Sequence, residues 1–387
     1  MKILNVASIL PLKGLKREND IILRIQKYLK TKYDVDFLIY KSVPFSGILT
    51  SRISDKWKKY KEYAIKGEID LEGFKTIIYS WFFLPTSNFW VNYFILPLNL
   101  LKIRFYFNKE RIDNLKDSDL ILAQNIFPDL IVASIISKKT GKPYIINLRG
   151  VFPDNIHKLW FLKDIFKNAS KIITHSPTNY KRFKSDFDVK FLPHPVNDNF
   201  FKKSETKKTT PIKLVTVCRL LTLKNIDWVI KTLHKAKQEG LKFTFDIIGD
   251  GPEFDNLVTL VDNFNLKREV VFHGFKDREY VESYLESSDV FVMPSNPETL
   301  GLAFLEAVAS SCLCVGHFGT GIDGVFEHYE SAILTNETSF EEELLLLIRE
   351  FPNDKYMEII RNSKEIVDNF SWTEIGKTYM NLYNSAL

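Results

Sequence analysis

The chain is poor in the residues that mark several protein classes. Among its 387 residues there are only three cysteines, 16 glycines and 15 prolines. An odd number of cysteines, two of them as Cys312-x-Cys314 in an apolar run, forms neither a disulfide framework nor a zinc site. We therefore expect Cys218, Cys312 and Cys314 to be reduced and buried. Without a low-complexity tract, the sequence is typical of a well-packed globular protein.

The chain also lacks a strong excess of either charge. Lys and Arg number 53 against 48 Asp and Glu, which gives a formal net charge of +5. Nucleic-acid binding proteins need a dense basic stripe, so we expect no nucleic-acid partner. No cleavage site follows the first residues, MKILNVASILP, which favours a cytoplasmic location without an export signal.

One long segment has no charge at all, since no charged residue lies between Lys75 and Lys102. Its length would suffice to cross a bilayer, but Pro85 and Pro97 would interrupt a single helix. We instead expect a strand that ends near Pro85, followed by an aromatic-rich helix. Basic and aromatic residues flank the segment, so its apolar face lies either on a membrane surface, as a peripheral contact through 76–111, or against the core.

Short apolar strands alternate with helix-like stretches in both halves of the chain. Examples are KILNVASIL, VDFLIY and PYIINLRG in the first half and KLVTVCRLL, FTFDIIG and DVFVMPS in the second. This alternation predicts an α/β fold with two parallel, doubly wound sheets covered by helices. The polar stretch at 202–211 has the composition of a linker. We therefore predict Rossmann-like domains at 1–204 and 205–369 that face a central cleft.

The turn after FTFDIIG begins like a dinucleotide-binding fingerprint. Gly249-Asp250-Gly251 supplies two glycines, but Phe254 stands where the third glycine belongs. We prefer a strand-to-helix turn at the edge of the cleft to an NAD site.

The segment PSNPETLGLAFLEAVASS at 294–311 is the most informative part of the sequence. A strand ends at Pro294, Glu298 lies in the following loop, and Gly301 opens a helix that carries Glu306. A helix N-terminus offers free N–H groups and a partial positive charge to a phosphate. Carboxylates beside it can accept hydrogen bonds from sugar hydroxyls. The alternative is structural, a carboxylate near a helix start and a second one on the surface.

Two cations follow a strand in the same half of the chain. Arg219 comes directly after LVTVC, and Lys224 precedes a helix for which Asn225 is the predicted cap. Beside the carboxylates of 294–311, this pair could neutralise a diphosphate. Taken alone, both residues are ordinary surface charges.

These motifs resemble the retaining glycosyltransferases of family 4, the glycosyl transferases group 1, which have the GT-B fold. The resembling stretches are VCRLLTLKNIDWVI, IIGDGPE and MPSNPETLGLAFLEAVA, the last with two Glu separated by seven residues. FSWTEIGKTYMNLY resembles the family's terminal helix, which implies that 370–387 pack back on the first domain. The resemblance implies an N-terminal acceptor-binding domain and a C-terminal nucleotide-sugar-binding domain.

The resemblance also implies a role for each matching residue. The diphosphate would contact Arg219 and Lys224, the ribose Glu306, and the transferred sugar Glu298. The implied donor-binding residues are Gly14, Arg219, Lys224, Gly274, Phe275, Glu298, Thr299, Leu300, Gly301 and Glu306. The residues expected at the reaction itself are Glu298, Arg219, Lys224 and Arg149.

The sequence departs from the family's pattern in four places, among them the first loop, LKGLKREN, which lacks the common Gly-Gly pair, and His194-Pro195-Val196-Asn197, which replaces Asn-Gly-Val-Asp. Arg149 precedes Gly150 where the family commonly has His. The family's Gly-Gly-x-Pro-Glu appears as Thr320-Gly321-Ile322-Asp323-Gly324, so its Glu is absent.

The activity implied is transfer of a hexose, with retention, from a UDP- or GDP-sugar to an acceptor. The expected acceptor is a lipid-linked saccharide in surface polysaccharide biosynthesis, as for lipopolysaccharide O-antigen, capsule or exopolysaccharide. The enzyme would be cytoplasmic and peripheral on the inner face of the membrane. GT-B members need no metal, and the seven histidines show no ligand spacing, so we expect no metal and no cofactor. Two alternatives stay open, a GT-B-fold nucleotide-sugar epimerase and a non-catalytic sugar-binding protein.

Overall fold

The computed structural model describes residues 1–13, 21–44, 55–81, 96–150, 156–202 and 211–387. The chain divides into two compact units. Unit 1 comprises Met1–Thr174, Phe183–Leu192 and Gly376–Leu387, and unit 2 comprises His175–Arg182 and Pro193–Ile375. The predicted break between residues 204 and 205 lies outside the described residues.

Each unit is built on one β-sheet. The strands of unit 1 are β1 (Lys2–Val6), β2 (Asp36–Pro44), β3 (Glu68–Leu71), β4 (Phe74–Trp81), β5 (Leu120–Ala123), β6 (Tyr144–Leu148), β7 (Lys171–Thr174) and β8 (Val189–Phe191). The strands of unit 2 are β9 (Ile212–Val217), β10 (Phe243–Ile248), β11 (Val270–Gly274), β12 (Val290–Val292), β13 (Leu313–His317) and β14 (Ile333–Thr335).

Helices occupy the connections between these strands. They are α1 (Ile21–Tyr33), α2 (Asp55–Lys66), α3 (Leu96–Tyr106), α4 (Lys109–Asp113), α5 (Ile131–Thr140), α6 (Trp160–Lys167), α7 (Pro177–Phe183), α8 (Ile226–Gln238), α9 (Phe254–Asn263), α10 (Arg278–Ser287), α11 (Leu302–Ala309), α12 (Phe340–Glu350), α13 (Asp354–Asp368) and α14 (Trp372–Asn384). Their limits follow local chemistry. Asp277 caps α10 by accepting a hydrogen bond from Tyr280 N at 2.9 Å, and Gly141 ends α5 in the left-handed conformation.

The sheet of unit 1 has the order β3-β4-β2-β1-β5-β6-β7-β8. Only the β3–β4 pair is antiparallel within this sheet as described. The predicted strand near Pro85 corresponds to β4, which ends at Trp81, and residues 82–95 of the uncharged segment lie outside the described residues. Residues Gly376–Leu387, which carry most of α14, cluster with unit 1.

The sheet of unit 2 has the order β11-β10-β9-β12-β13-β14, and its pairs are parallel. The apolar face of this sheet forms a core with α8, α9, α12 and α13. Leu214, Phe245 and Val292, on three successive strands of the sheet, are all fully buried there. Both units thus have an α/β, doubly wound fold, as the alternation of strands and helices predicts.

Cysteine burial differs from the prediction at one position. Cys312 and Cys314 are buried as expected, whereas Cys218, the residue after the carboxyl end of β9, is only partly buried. Its surroundings still raise the pKa of the Cys218 thiol to about 11 by desolvation, so the thiol is protonated at neutral pH.

Candidate functional site

The candidate site lies where the strand order of unit 2 reverses. β9 pairs with β10 on one side and with β12 on the other. From β9, the strands β10 and β11 extend the sheet in one direction, and β12, β13 and β14 extend it in the other. In doubly wound sheets the loops at such a reversal diverge and leave a crevice outside the carboxyl ends of the strands. The loops after β9 and β12 carry Arg219, Lys224 and Glu298, and the helix that follows the second loop carries Glu306.

The two cations after β9 differ in environment. Arg219 is exposed and has no ion-pair partner among the residues that the structure describes. Lys224 ends a short 3-10 turn, Thr222–Lys224, and its side chain is only 14% exposed. Its ammonium group pairs with Glu298, which comes from the loop after β12.

Three groups hold the carboxylate of Glu298. Besides Lys224 Nζ, the backbone N–H of Thr299 donates to Oε1 at 3.0 Å and the Ser295 hydroxyl donates to Oε2 at 3.3 Å. The carboxylate is therefore charge-balanced and fixed in orientation, although its side chain is 15% exposed. Of the amides expected to face a ligand, that of Thr299 is thus already used by Glu298.

The backbone of Glu298 is fixed by a residue that sequence reasoning missed. Thr320 Oγ1 accepts from Glu298 N at 2.6 Å and donates to Glu298 O at 2.7 Å, while Gly321 N also donates to that carbonyl at 3.0 Å. Thr320 begins the segment in which the family's Glu is absent. Asp323 of the same segment pairs with Lys181 at 3.2 Å, within unit 2. Only the small polar pair Thr320-Gly321 could have signalled this contact in the sequence.

Two backbone N–H groups lie at the N-terminus of α11. The N–H groups of Leu300 and Gly301 have no acceptor among the described residues, and both stand just before the first helical residue, Leu302. Gly301 has φ +77°, and a Cβ there would lie 2.7 Å from the Phe304 ring, so only glycine fits. Free amides at a helix N-terminus suit an anion.

Glu306 lies in the second turn of α11 and meets a partner that the sequence did not indicate. Its Oε1 accepts a hydrogen bond from Arg278 Nη2 at 2.6 Å, and its side chain is 15% exposed. The two residues are 28 positions apart and belong to different helices, so no local pattern relates them.

The turn after β11 carries Gly274 and Phe275. Gly274 has φ +69°, and its carbonyl accepts a hydrogen bond from Gly249 N at 2.8 Å, which ties this turn to the one after β10. Phe275 is 61% exposed, unusual for an aromatic ring of this size.

The glycines of the Gly249-Asp250-Gly251 turn are required by a close backbone approach. A Cβ on Gly249 would lie 1.8 Å from Cys218 O, and one on Gly251 would lie 2.2 Å from Leu220 O. The turn therefore presses on the segment after β9 that carries Arg219. The structure confirms the preferred interpretation, a strand-to-helix turn between β10 and α9.

Arg149 lies in unit 1, directly after β6. Its Nε donates to Gln124 Oε1 at 2.8 Å, and Gln124 in turn donates to Asn5 at 2.7 Å. Burial lowers the pKa of Arg149, and contacts with Tyr379 of α14 oppose that shift. The side chain thus belongs to a polar network at the carboxyl edge of this sheet. Gly14 lies outside the described residues.

A second polar cluster of unit 1 surrounds Asp129. Ser8, just after β1, donates to this carboxylate from its N–H at 2.9 Å and from its hydroxyl at 3.1 Å, and Lys41 donates to Ser8 O at 2.6 Å. Lys41 and Asp129 are 2% and 0% exposed. Burial raises the pKa of Asp129 to about 7. The cluster lies at the β1–β5 reversal of the strand order and fixes the backbone at Ser8.

No helix among the described residues is long and apolar enough to cross a membrane. They also contain no group of three or more His, Cys, Asp or Glu side chains placed to share a metal ion.

Comparison with known proteins relates unit 2 to one family. Residues 197–366 match the family model described as "Glycosyl transferases group 1". The putative colanic acid biosynthesis glycosyltransferase WcaL of Escherichia coli K12 is 26% identical over 188 residues, 46% of this chain and 44% of that protein. The chain thus spans less than half the length of this relative.

A longer alignment and a solved structure extend the likeness to both units. The O-antigen biosynthesis glycosyltransferase WclY of Escherichia coli is 27% identical over 294 residues, 70% of this chain and 81% of that protein. The crystal structure of Anabaena Alr3699/HepE in complex with UDP and glucose covers 100% of both chains with a TM-score of 0.66 at 17% identity. Residues 197–366 are therefore related to the glycosyl transferases group 1, in a chain with the two-domain α/β GT-B fold.

Proposed function

We propose that this protein is a glycosyltransferase that moves a hexose from a nucleoside diphosphate sugar to a saccharide acceptor. The observation that carries the proposal is the meeting of Lys224 and Glu298 at the strand reversal of unit 2, beside the unused amides of Leu300 and Gly301. Cations and helix amides suit a diphosphate, and fixed carboxylates suit hydroxyl groups. Relatives named for colanic acid and O-antigen biosynthesis support this activity.

The cations would serve the leaving group. Arg219, exposed and without an ion-pair partner among the described residues, would contact the diphosphate together with Lys224. Charge grows on the diphosphate as the anomeric C–O bond breaks, so fixed cations bind it more tightly in the transition state than in the ground state. The amides of Leu300 and Gly301 would add hydrogen bonds to the same phosphates or to the sugar.

The remaining contacts would select the nucleoside and the sugar. Glu306 would accept hydrogen bonds from the ribose hydroxyls, and the turn at Gly274 and Phe275 would contact the base. Glu298 would accept from a hydroxyl of the transferred sugar, and its carboxylate is already oriented by Lys224 and Thr299. A donor with UDP is the first to test, since HepE was solved with UDP and glucose.

We propose transfer with retention of the anomeric configuration. The acceptor oxygen would form its bond to the anomeric carbon on the face from which the diphosphate departs, and a donor-phosphate oxygen would take the acceptor's proton. No side-chain nucleophile is needed in this scheme. Arg149 would contact the transferred sugar or the phosphate, and Gly14 would contact the donor near its phosphate. The reaction would require no bound metal, so EDTA would leave the rate unchanged.

The acceptor we propose is a lipid-linked saccharide of surface polysaccharide biosynthesis, reached at the inner face of the cell membrane. Three apolar side chains of α3, Leu98, Leu101 and Phe105, are 59%, 56% and 79% exposed. Their spacing puts them on one face of the helix. Arg104 and Arg111 nearby are also exposed, which suits an anionic leaflet.

Ligand-induced stabilisation tests the donor assignment. The chain is melted alone and with UDP, GDP, ADP, dTDP or NAD, because a ligand at 100 times its Kd stabilises the folded state by about 2.7 kcal/mol. We expect one nucleoside diphosphate to raise the Tm, and Glu306→Ala to abolish the rise. Glu358→Ala, an exposed Glu on α13, is the matched control that keeps it. A rise with NAD alone, or none with any diphosphate, would contradict the proposal.

Transfer itself is tested with the nucleotide that binds. Release of nucleoside diphosphate from its sugar should accelerate when a saccharide acceptor is present, and the product's anomeric configuration by NMR should equal the donor's. Turnover without acceptor would instead indicate the epimerase, and binding without turnover the sugar-binding protein.

A further inference from the structure

Arg278 forms an ion pair with Glu306. It is the first residue of α10, and its Nη2 donates to Glu306 Oε1 of α11 at 2.6 Å. The Arg278 side chain is 38% exposed and the Glu306 side chain 15% exposed, so the pair lies near the surface of unit 2 with the carboxylate largely enclosed. Enclosure on the Glu306 side reduces screening by solvent.

The guanidinium group of Arg278 has little freedom. Its central carbon lies 5.4 Å from the ring centroid of Phe200, which is 2% exposed and belongs to the short 3-10 turn Asp198–Lys202. Asp277 caps the helix one residue earlier and fixes the backbone from which Arg278 extends. The Nε of Arg278 is buried without a hydrogen-bond partner among the described residues. Such confinement lowers the entropy cost of presenting Glu306 in one orientation.

The position of Arg278 in the chain links two contacts of the proposed donor site. It follows Gly274 and Phe275, the proposed base-contacting turn, by only a few residues and pairs with the proposed ribose carboxylate.

We propose that Arg278 is a positioning residue that orients Glu306 toward the ribose hydroxyls and so sets the preference for ribonucleotide over 2′-deoxyribonucleotide donors. The proposal rests on the proposed function of the site. A carboxylate has four lone-pair sites, more than the bond from Arg278 occupies. Arg278 fixes one oxygen of the Glu306 carboxylate, and hydrogen bonds that hydroxyls donate to a carboxylate are stronger than those to a neutral acceptor.

Paired nucleotides measure this role directly. Calorimetric titrations of UDP and 2′-deoxy-UDP, with the corresponding GDP and ADP pairs in parallel, are made on wild type, Arg278→Met and Arg278→Lys. Arg361→Met, an exposed Arg on α13, is the control. We expect wild type and the control to favour the ribonucleotide about tenfold, the gain typical of one hydrogen bond to a charged group. In Arg278→Met the ratio should fall to about twofold, with Arg278→Lys between.

The outcomes separate this inference from the proposed function. If wild type binds no nucleoside diphosphate, both fail. If it binds one without discriminating ribose from deoxyribose, or if Arg278→Met keeps the wild-type ratio while both affinities drop equally, only the inference is overturned. A ribonucleotide preference that rises in Arg278→Met would also overturn it, because Arg278 would then compete with ribose for Glu306. Arg278→Lys keeps the test valid if Arg278→Met does not fold.

Discussion

Lys224 and Glu298, 74 positions apart, form an ion pair across the strand reversal of unit 2. Their side chains are 14% and 15% exposed, so solvent screens the pair only weakly. The family resemblance assigns these two residues to different parts of the donor, Lys224 to the diphosphate and Glu298 to the transferred sugar. The structure adds that each is the other's counter-charge, which holds both side chains in place.

Breaking this pair should destabilise the protein. Lys224→Met leaves a mostly enclosed carboxylate without its cation, and we expect a loss of about 1–3 kcal/mol of unfolding free energy. The double variant Lys224→Met/Glu298→Gln should lose less than the sum of the two single changes, by about 1 kcal/mol. Urea unfolding of the four proteins gives this coupling energy.

An exposed pair of unit 2 serves as the control for that cycle. Lys235 and Glu341 are 2.7 Å apart, with side chains 53% and 46% exposed. Their coupling should be at most about 0.5 kcal/mol, because water screens exposed pairs. Equal couplings in the two cycles would show that enclosure does not strengthen the Lys224–Glu298 pair.

The glycine turn after β10 gives a second prediction. Gly251→Ala places a methyl group 2.2 Å from Leu220 O, so the backbone must shift, and we expect a loss of about 3 kcal/mol or more. Gly240→Ala is the matched change, because φ there is +77° and nothing lies within 4 Å of the new methyl. Its cost should be about 1–2 kcal/mol from backbone strain alone. Similar denaturant midpoints for the two variants would contradict the close approach.

The order of strands and helices was predictable from the sequence because apolar periodicity is a local signal. The stretches KLVTVCRLL and FTFDIIG, predicted as strands, overlap β9 and β10. Asn225 shows where local signals stop. It precedes α8, but its side chain donates to Pro294 O at 2.8 Å instead of capping the helix, since the loop after β12 offers a competing acceptor.

The partners within the site were not predictable in the same way. Thr320 and Arg278 reach Glu298 and Glu306 across 22 and 28 positions, and these contacts exist only once the sheet is assembled. Resemblance could select the residues of a site but not the neighbours that orient them. The identity of those neighbouring residues depends on which loops come together at the strand reversal.

Asp129 predicts a pH dependence of stability. Its pKa is about 7 in the folded protein, raised by burial, against about 3.9 in an unfolded chain. The folded state therefore binds this proton more tightly. The resulting stabilisation is fully present below about pH 4 and is lost as the pH rises through about 7.

Replacement of this carboxyl isolates the effect. Relative to Asp129→Asn, the wild-type protein should lose stability by about 1 kcal/mol per pH unit between about pH 4 and 7, and little above that. Urea unfolding of both proteins at pH 5, 6, 7 and 8 gives the difference, in which the other titrating groups cancel. A difference that does not change with pH would mean that Lys41 and Ser8 hold Asp129 ionised throughout.

The exposed face of α3 gives the last prediction. Phe105 is 79% exposed, and burying its ring in a lipid interface should contribute about 1.5–3 kcal/mol to binding. Phe105→Glu should therefore weaken co-sedimentation with vesicles containing anionic lipid by about tenfold or more. Ile65→Glu is the matched change, an equally exposed apolar residue (75%) on α2, and should alter binding much less. Equal losses in the two variants would point to charge alone, and no sedimentation of wild type would remove the membrane contact from the proposed function.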